Sequence, residues 1–152
     1  MTFHITIEEA NAWADKVKLN FGNLDVELES SQSTQVLSRV SQIYDVTSWV
    51  DSSTTPSLIR KIIAMMYTGW YFQRTYSEDE NTSTYGMMLI AQAEQLILGI
   101  IDGAITLSDA PPNTDLLNSS PLFYPNDASS ALTPTTDDMS LGPNKFSMGT
   151  VW

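Results

Sequence analysis

Cysteine is absent from the chain. That single absence excludes disulfides, thiolate nucleophiles, iron–sulfur clusters and Cys-based zinc sites together. Histidine occurs once, as His4, so no metal motif built on a pair of histidines is possible. Basic residues are scarce: 7 Lys and Arg stand against 18 Asp and Glu, a net charge of −11. A surface this acidic repels phosphate, which argues against binding nucleic acid through a basic face. Without a polybasic cluster, anionic membranes are equally poor partners. Glycine-rich phosphate loops are missing too, since neither G-x-x-x-x-G-K nor G-x-G-x-x-G occurs.

The opening MTFHITIEEA reaches two glutamates before any apolar run and does not read as a signal peptide; the expectation is an intracellular product. The Asn81-Thr-Ser and Asn118-Ser-Ser acceptor patterns are then chance matches. The longest apolar stretches carry Arg60, Lys61, Gln92 and Glu94, so none is expected to span a membrane.

What is present suffices for one folded domain. The chain has 152 residues, of which 42% are hydrophobic, enough for a real core and too few for two. Composition changes near residue 108. Residues 1–108 hold 13 acids and 6 bases. Residues 109–152 hold 6 of the 7 prolines, and 28 of these 44 residues are Pro, Gly, Ser, Thr, Asn or Asp. Such a segment buries little apolar area. The expected organisation is a helical domain, 1–108, and an extended Pro/Ser/Thr-rich tail, 109–152. The expected fold class is mainly α: a small bundle of about four helices with a short β element and a long extended C-terminal tail.

The first helix begins at Thr6, where Thr6-Ile7-Glu8-Glu9 fits a capping box, and stops before the turn signal Phe21-Gly22-Asn23. Residues 24–29, Leu-Asp-Val-Glu-Leu-Glu, alternate apolar and acidic; the alternation predicts a short half-buried strand, a helical start being the other option. A second helix is predicted from Thr34 to Val50, with Val36, Leu37, Val40, Ile43, Tyr44, Thr47 and Val50 on one stripe. A third starts at Thr55-Pro56 and is apolar nearly all round, from Leu58 to Phe72. It is either central or covered in part by another copy of the chain. The fourth starts near Thr82–Thr84 and ends before a capping glycine, Gly103. Ala104–Leu107 then reads as a short extended end.

No residue constellation suggests catalysis. His4 lacks triad partners and reads as a surface histidine. Glu8 and Glu9 are accounted for by capping, and Glu78, Asp79 and Glu80 by a solvated loop. Asp137-Asp138 could touch a cation, but no calcium-loop pattern surrounds the pair. Neither a cofactor nor a metal is expected. Met65, Met66, Met87 and Met88 read most simply as core, or else as part of a protein-binding surface, where Met and aromatics are enriched. The tail strings apolar residues along a polar segment: Leu116, Leu117, Leu122, Phe123, Tyr124, Phe146, Val151 and Trp152. They read equally as anchors for a partner and as groups that fold back on their own domain.

Three features together are similar to a known family. They are the helix start Ile5-Thr-Ile-Glu-Glu-Ala10; the helix Gln35–Asp51 with a break before the aromatic-rich helix Ile59–Tyr76; and the closing Ile100-Ile-Asp-Gly-Ala-Ile-Thr-Leu107. Over residues 5–107 the chain resembles the head–tail connector (adaptor) proteins of tailed bacteriophages. The resemblance implies a structural protein of the virion, made in the host cytoplasm and placed at the head–tail junction. It implies a ring, of roughly a dozen copies, that binds the portal and a tail or second neck protein. DNA would pass through the lumen without specific binding. Members commonly use a C-terminal segment to grip the portal; here that segment is longer and richer in Pro, Ser and Thr than the family pattern. The competing expectations are an acidic DNA mimic that inhibits a nucleic-acid enzyme, suggested by the −11 charge, and a small enzyme, for which no residue set speaks.

Overall fold

A computed structural model describes residues 2–113. Within them four α-helices follow in order: α1 (Ile7–Ala14), α2 (Val26–Val40), α3 (Ser57–Thr75) and α4 (Glu80–Ile101). The fold is mainly α, and no strand forms among the described residues. α3 lies at the centre and packs on α1, α2 and, most extensively, α4. Ile59, Ile62, Ile63, Met66, Tyr67 and Phe72 are all buried along it, which is why its sequence is apolar on nearly every face.

Thr6 caps α1 through the expected box: the Glu9 amide donates to Thr6 Oγ1 (3.2 Å) and the Thr6 amide to Glu9 Oε2 (2.9 Å). The helix is shorter than predicted. A 3-10 turn, Asp15–Val17, tightens its end, and Lys18 takes a left-handed conformation at φ 59°. Beyond it, the Asn11 side chain holds both backbone groups of Phe21, accepting from its amide at 2.6 Å and donating to its carbonyl at 3.3 Å.

The predicted strand at 24–29 is instead the start of α2. Asp25 Oδ1 accepts the Leu28 amide (3.1 Å) and caps the helix, and Glu27 and Glu29 fall in its first turn, where the helix dipole favours acids. The alternating pattern misled because the buried positions follow helical spacing. Glu29, Gln32, Ser33, Val36 and Val40 face inward, while the apolar Val26 is exposed.

The second predicted helix, 34–50, is corrected at its other end. It stops at Val40, and Ile43, Tyr44, Thr47 and Val50 lie outside it. A distant segment competes for this backbone. The Asp45 amide donates to the Pro111 carbonyl (3.0 Å), the Asn113 amide to the Ile43 carbonyl (2.9 Å), and Tyr44 forms an isolated antiparallel bridge with Pro112. Pro111 and Asn113, placed by composition at the start of the tail, are thus hydrogen-bonded to Ser41, Ile43 and Asp45.

Gly103 ends α4 at φ 81°, the left-handed cap expected of a glycine. Ala104–Leu107 forms no strand. The Ile105 amide returns to the Gly99 carbonyl (2.9 Å), and the Leu107 amide donates to the Tyr44 hydroxyl (2.9 Å).

Candidate docking surface

The one histidine and the one deeply buried carboxylate among the described residues come close, so they are weighed first. Glu29 is 2% exposed. Its Oε1 accepts the backbone amide of His4 (2.8 Å) and not the imidazole. The His4 Nδ1 lies 3.1 Å from Thr55 Oγ1. The Thr55 hydroxyl spends its single proton on the Asp51 carbonyl (2.7 Å), so it accepts from His4 Nδ1–H. A base facing the hydroxyl with its own N–H cannot take a proton from it. The group ties the N-terminal segment to α2 and to the 51–55 loop. Burial pushes the Glu29 carboxyl up, against the His4 amide bond, and pushes the His4 imidazole down, against the Asp51 charge. Among the described residues no three of His, Asp and Glu converge as metal ligands.

The second candidate is the outer face of α4. Thr82, Gly86, Leu89, Ala93, Ile97 and Ile100 point inward. The opposite side presents Thr84, Met87, Met88, Ala91, Gln95 and Leu98, all exposed and all uncharged. Met87 is 61% and Leu98 49% exposed. Met65 and Met66 are core, as expected, whereas Met87 and Met88 are on the surface. On one flank a shallow groove between α3 and α4 is lined by Trp70, Gln73, Met87, Ile90 and Ala91, and Trp70 is 41% exposed. On the other flank stand two lysines held over aromatic rings: Lys16 over Tyr85 (4.9 Å) and Lys61 over Trp13 (5.8 Å).

This face is unusual for a chain of net charge −11. Exposed apolar groups that cluster, with aromatic and Met side chains prominent, mark protein-binding surfaces. α4 is also long and apolar enough to cross a membrane by length and composition: its best window has a mean hydropathy of 1.3, with 28% of it buried. Core helices of folded bundles meet the same two criteria. Two features explain how it sits in a bundle all the same. Glu94 pairs with Arg39 of α2, and Gly86 meets Gly69 of α3 at close range.

The expected tail anchors, Leu116, Leu117, Leu122, Phe123, Tyr124, Phe146, Val151 and Trp152, lie outside the described residues. Sequence reading raised Met87 and Met88 as part of a binding surface only as the second option to core, and did not single out Trp70 or Leu98. The available signal was the run Thr82–Gln92, which carries no charge; a surface helix face in an acidic chain is normally charged. Compared with known proteins, the chain matches no protein-family model, no curated protein and no solved structure.

Proposed function

We propose that the chain is a structural assembly protein of a phage neck, forming a ring that joins the capsid portal to the tail and continues the DNA channel. The observation that carries this reading is the uncharged, apolar outer face of α4 with Trp70 beside it. A face of that kind is soluble only at a cost and is stabilised when a partner covers it. The resemblance of residues 5–107 to head–tail connectors supplies the kind of partner: neighbouring copies, the portal and a tail or second neck protein. The acidic remainder suits a wall past which DNA slides without sticking. On this reading the apolar residues beyond 113, from Leu116 to Trp152, serve as anchors in a partner's grooves.

The acidic-decoy reading finds less support. Glu9, Asp25 and Glu94 pair with Arg60, Arg74 and Arg39, and Asp45 and Asp51 bind hydroxyls and amides of their own loops. These acids are not free to stand as a row of phosphate substitutes.

The test is to purify virions from cells that make this chain and to count it by mass spectrometry against the major capsid protein. About a dozen copies per particle is the expected result for a closed ring. Complete absence from finished particles would overturn the proposal and bring the decoy forward.

A further inference from the structure

We infer that the outer face of α4 is the contact between successive copies of this chain, and that the surface it meets on the next copy is the outer face of α2. This contact rests on the ring-forming reading above and specifies its interface.

The argument begins with charge. Two chains of net charge −11 repel each other over most of their surfaces. Thr84, Met87, Met88, Ala91, Gln95 and Leu98 on the outer α4 face carry no charge, and Glu94 at its edge is paired with Arg39 of its own chain. The outer α2 face, lined by Val26, Glu27, Ser30, Ser31, Thr34 and Gln35, carries one charged residue. Apposing these two faces therefore avoids like-charge repulsion. What charge remains is complementary. Lys16 and Lys61 flank the α4 face, Glu27 stands on the α2 face, and none of the three has an ion pair among the described residues. A lysine–glutamate contact across the joint would set orientation more than affinity.

Shape points the same way. The α4 face is built of large side chains, Met87, Met88 and Leu98, with Trp70 beside them. The α2 face is built mainly of small hydroxyls, Ser30, Ser31 and Thr34, around one exposed apolar residue, Val26. Large ridges fit grooves floored by small residues. Seryl and threonyl hydroxyls can bond their own helix carbonyls when covered, as Ser33 and Ser38 of α2 already do toward Ser30 and Gln35. The two faces are different patches of one chain. A contact between different patches is head-to-tail and propagates from copy to copy, closing into a ring where the rotation allows.

The experiment places a photo-crosslinker on the α4 face of the full chain, Met87→p-benzoylphenylalanine, and mixes copies labelled with ¹⁴N and ¹⁵N before irradiation. The inference expects mixed-isotope products joining position 87 to residues 26–38. Products joining position 87 to α4 of the other copy would mean a symmetric pair and would overturn it. Products joining it to residues 114–152 would mean that the tail occupies the face, and would overturn it as well. The same holds for a chain that stays monomeric up to about 1 mM, a weak limit for any specific contact. As a second readout, Met87→Glu and Val26→Glu should each weaken self-association at least about tenfold, the effect of losing one central anchor. Both residues are exposed, so circular dichroism should be unchanged in both. Absence of the chain from virions would remove the neck reading yet leave these cross-links to stand or fall by themselves. Presence in the virion without the 87-to-α2 product would remove this interface and leave the neck reading.

Discussion

Gly69 of α3 and Gly86 of α4 face each other across the helix crossing. A Cβ on Gly69 would stand 2.7 Å from the Gly86 carbonyl oxygen, and a Cβ on Gly86 would stand 2.8 Å from that of Gly69. The pair lets two backbones touch where any side chain would hold them apart. This close backbone contact thus lies under the outer face of α4 and helps to set the position of that face.

Alanine at either glycine must push the helices apart, because the atom it meets is backbone and not a flexible side-chain end. Gly69→Ala and Gly86→Ala are each expected to destabilise the fold by about 1–3 kcal/mol, the range for overpacking a close contact. Denaturant midpoints measure it. A change under about 0.5 kcal/mol in both variants would show that α3 and α4 can slide at little cost.

Tyr67 is fully buried, and its hydroxyl accepts the amide of Asp25 (2.8 Å) just ahead of α2. Tyr67→Phe keeps the ring in its edge-on contact with Phe21 and removes only the acceptor. The expected loss is about 1–2 kcal/mol, the cost of one deleted partner in a partly buried hydrogen bond. A larger loss would mean that the aromatic cluster itself had rearranged, which near-ultraviolet circular dichroism would show.

Glu29 and His4 give the fold opposing responses to pH. Burial raises the Glu29 carboxyl above its ordinary 4.5, so the folded chain binds this proton more readily than the unfolded chain does. Its ionised form weakens the fold near neutral pH, and stability is regained as pH falls through the raised value toward 4.5. Burial lowers the His4 imidazole below 6.5. Its contribution is present above 6.5 and is lost as pH falls through the lowered value. Glu29→Gln keeps an oxygen to accept the His4 amide and removes the carboxyl titration. The variant is expected to be more stable than the parent at pH 7, with the difference closing toward pH 4.5. Urea midpoints across that range decide it; a constant difference would show that the carboxyl does not titrate with folding.

Surface substitutions on the outer α4 face should leave the monomer alone. Met87→Glu and Leu98→Lys replace exposed side chains and are expected to change unfolding free energy by less than about 0.5 kcal/mol. Their effect belongs to association. A drop of several kcal/mol would mean that these side chains are packed against part of the chain in solution.

Local signals carried the start of the first helix and the stop of the last one well, and the helix faces poorly. The Thr6 capping box and the Gly103 cap depend on residues within a few positions of each other, so they are legible along the chain. The apolar residues of α3 cover nearly every side, which left it either central or covered by a second copy, and the packing of α1, α2 and α4 around it made it central. The outer α4 face was not. Its methionines are the same residue type as the buried Met65 and Met66 of α3, and the side of α4 that turns inward is the one carrying Gly86, Leu89, Ala93, Ile97 and Ile100.

From the sequence alone followed an acidic, cysteine-free, mainly helical chain, with a first helix capped at Thr6 and a last helix stopped at Gly103. These are consequences of composition and short-range hydrogen bonding. Three matters were decided only by tertiary structure. Residues 24–29 became a helix because Asp25 caps it while Tyr67, far along the chain, holds its amide. The second helix ended at Val40 because residues 111–113 take the backbone groups beyond it. Met87, Met88 and Leu98 came to the surface because the other side of α4, with Leu89, Ala93, Ile97 and Ile100 buried and Gly86 close against Gly69 of α3, packs into the core. In each case the deciding partner lies more than 15 residues away along the chain, beyond the reach of any periodicity, since a hydrophobic pattern reports which residues prefer burial and not which neighbour will cover them.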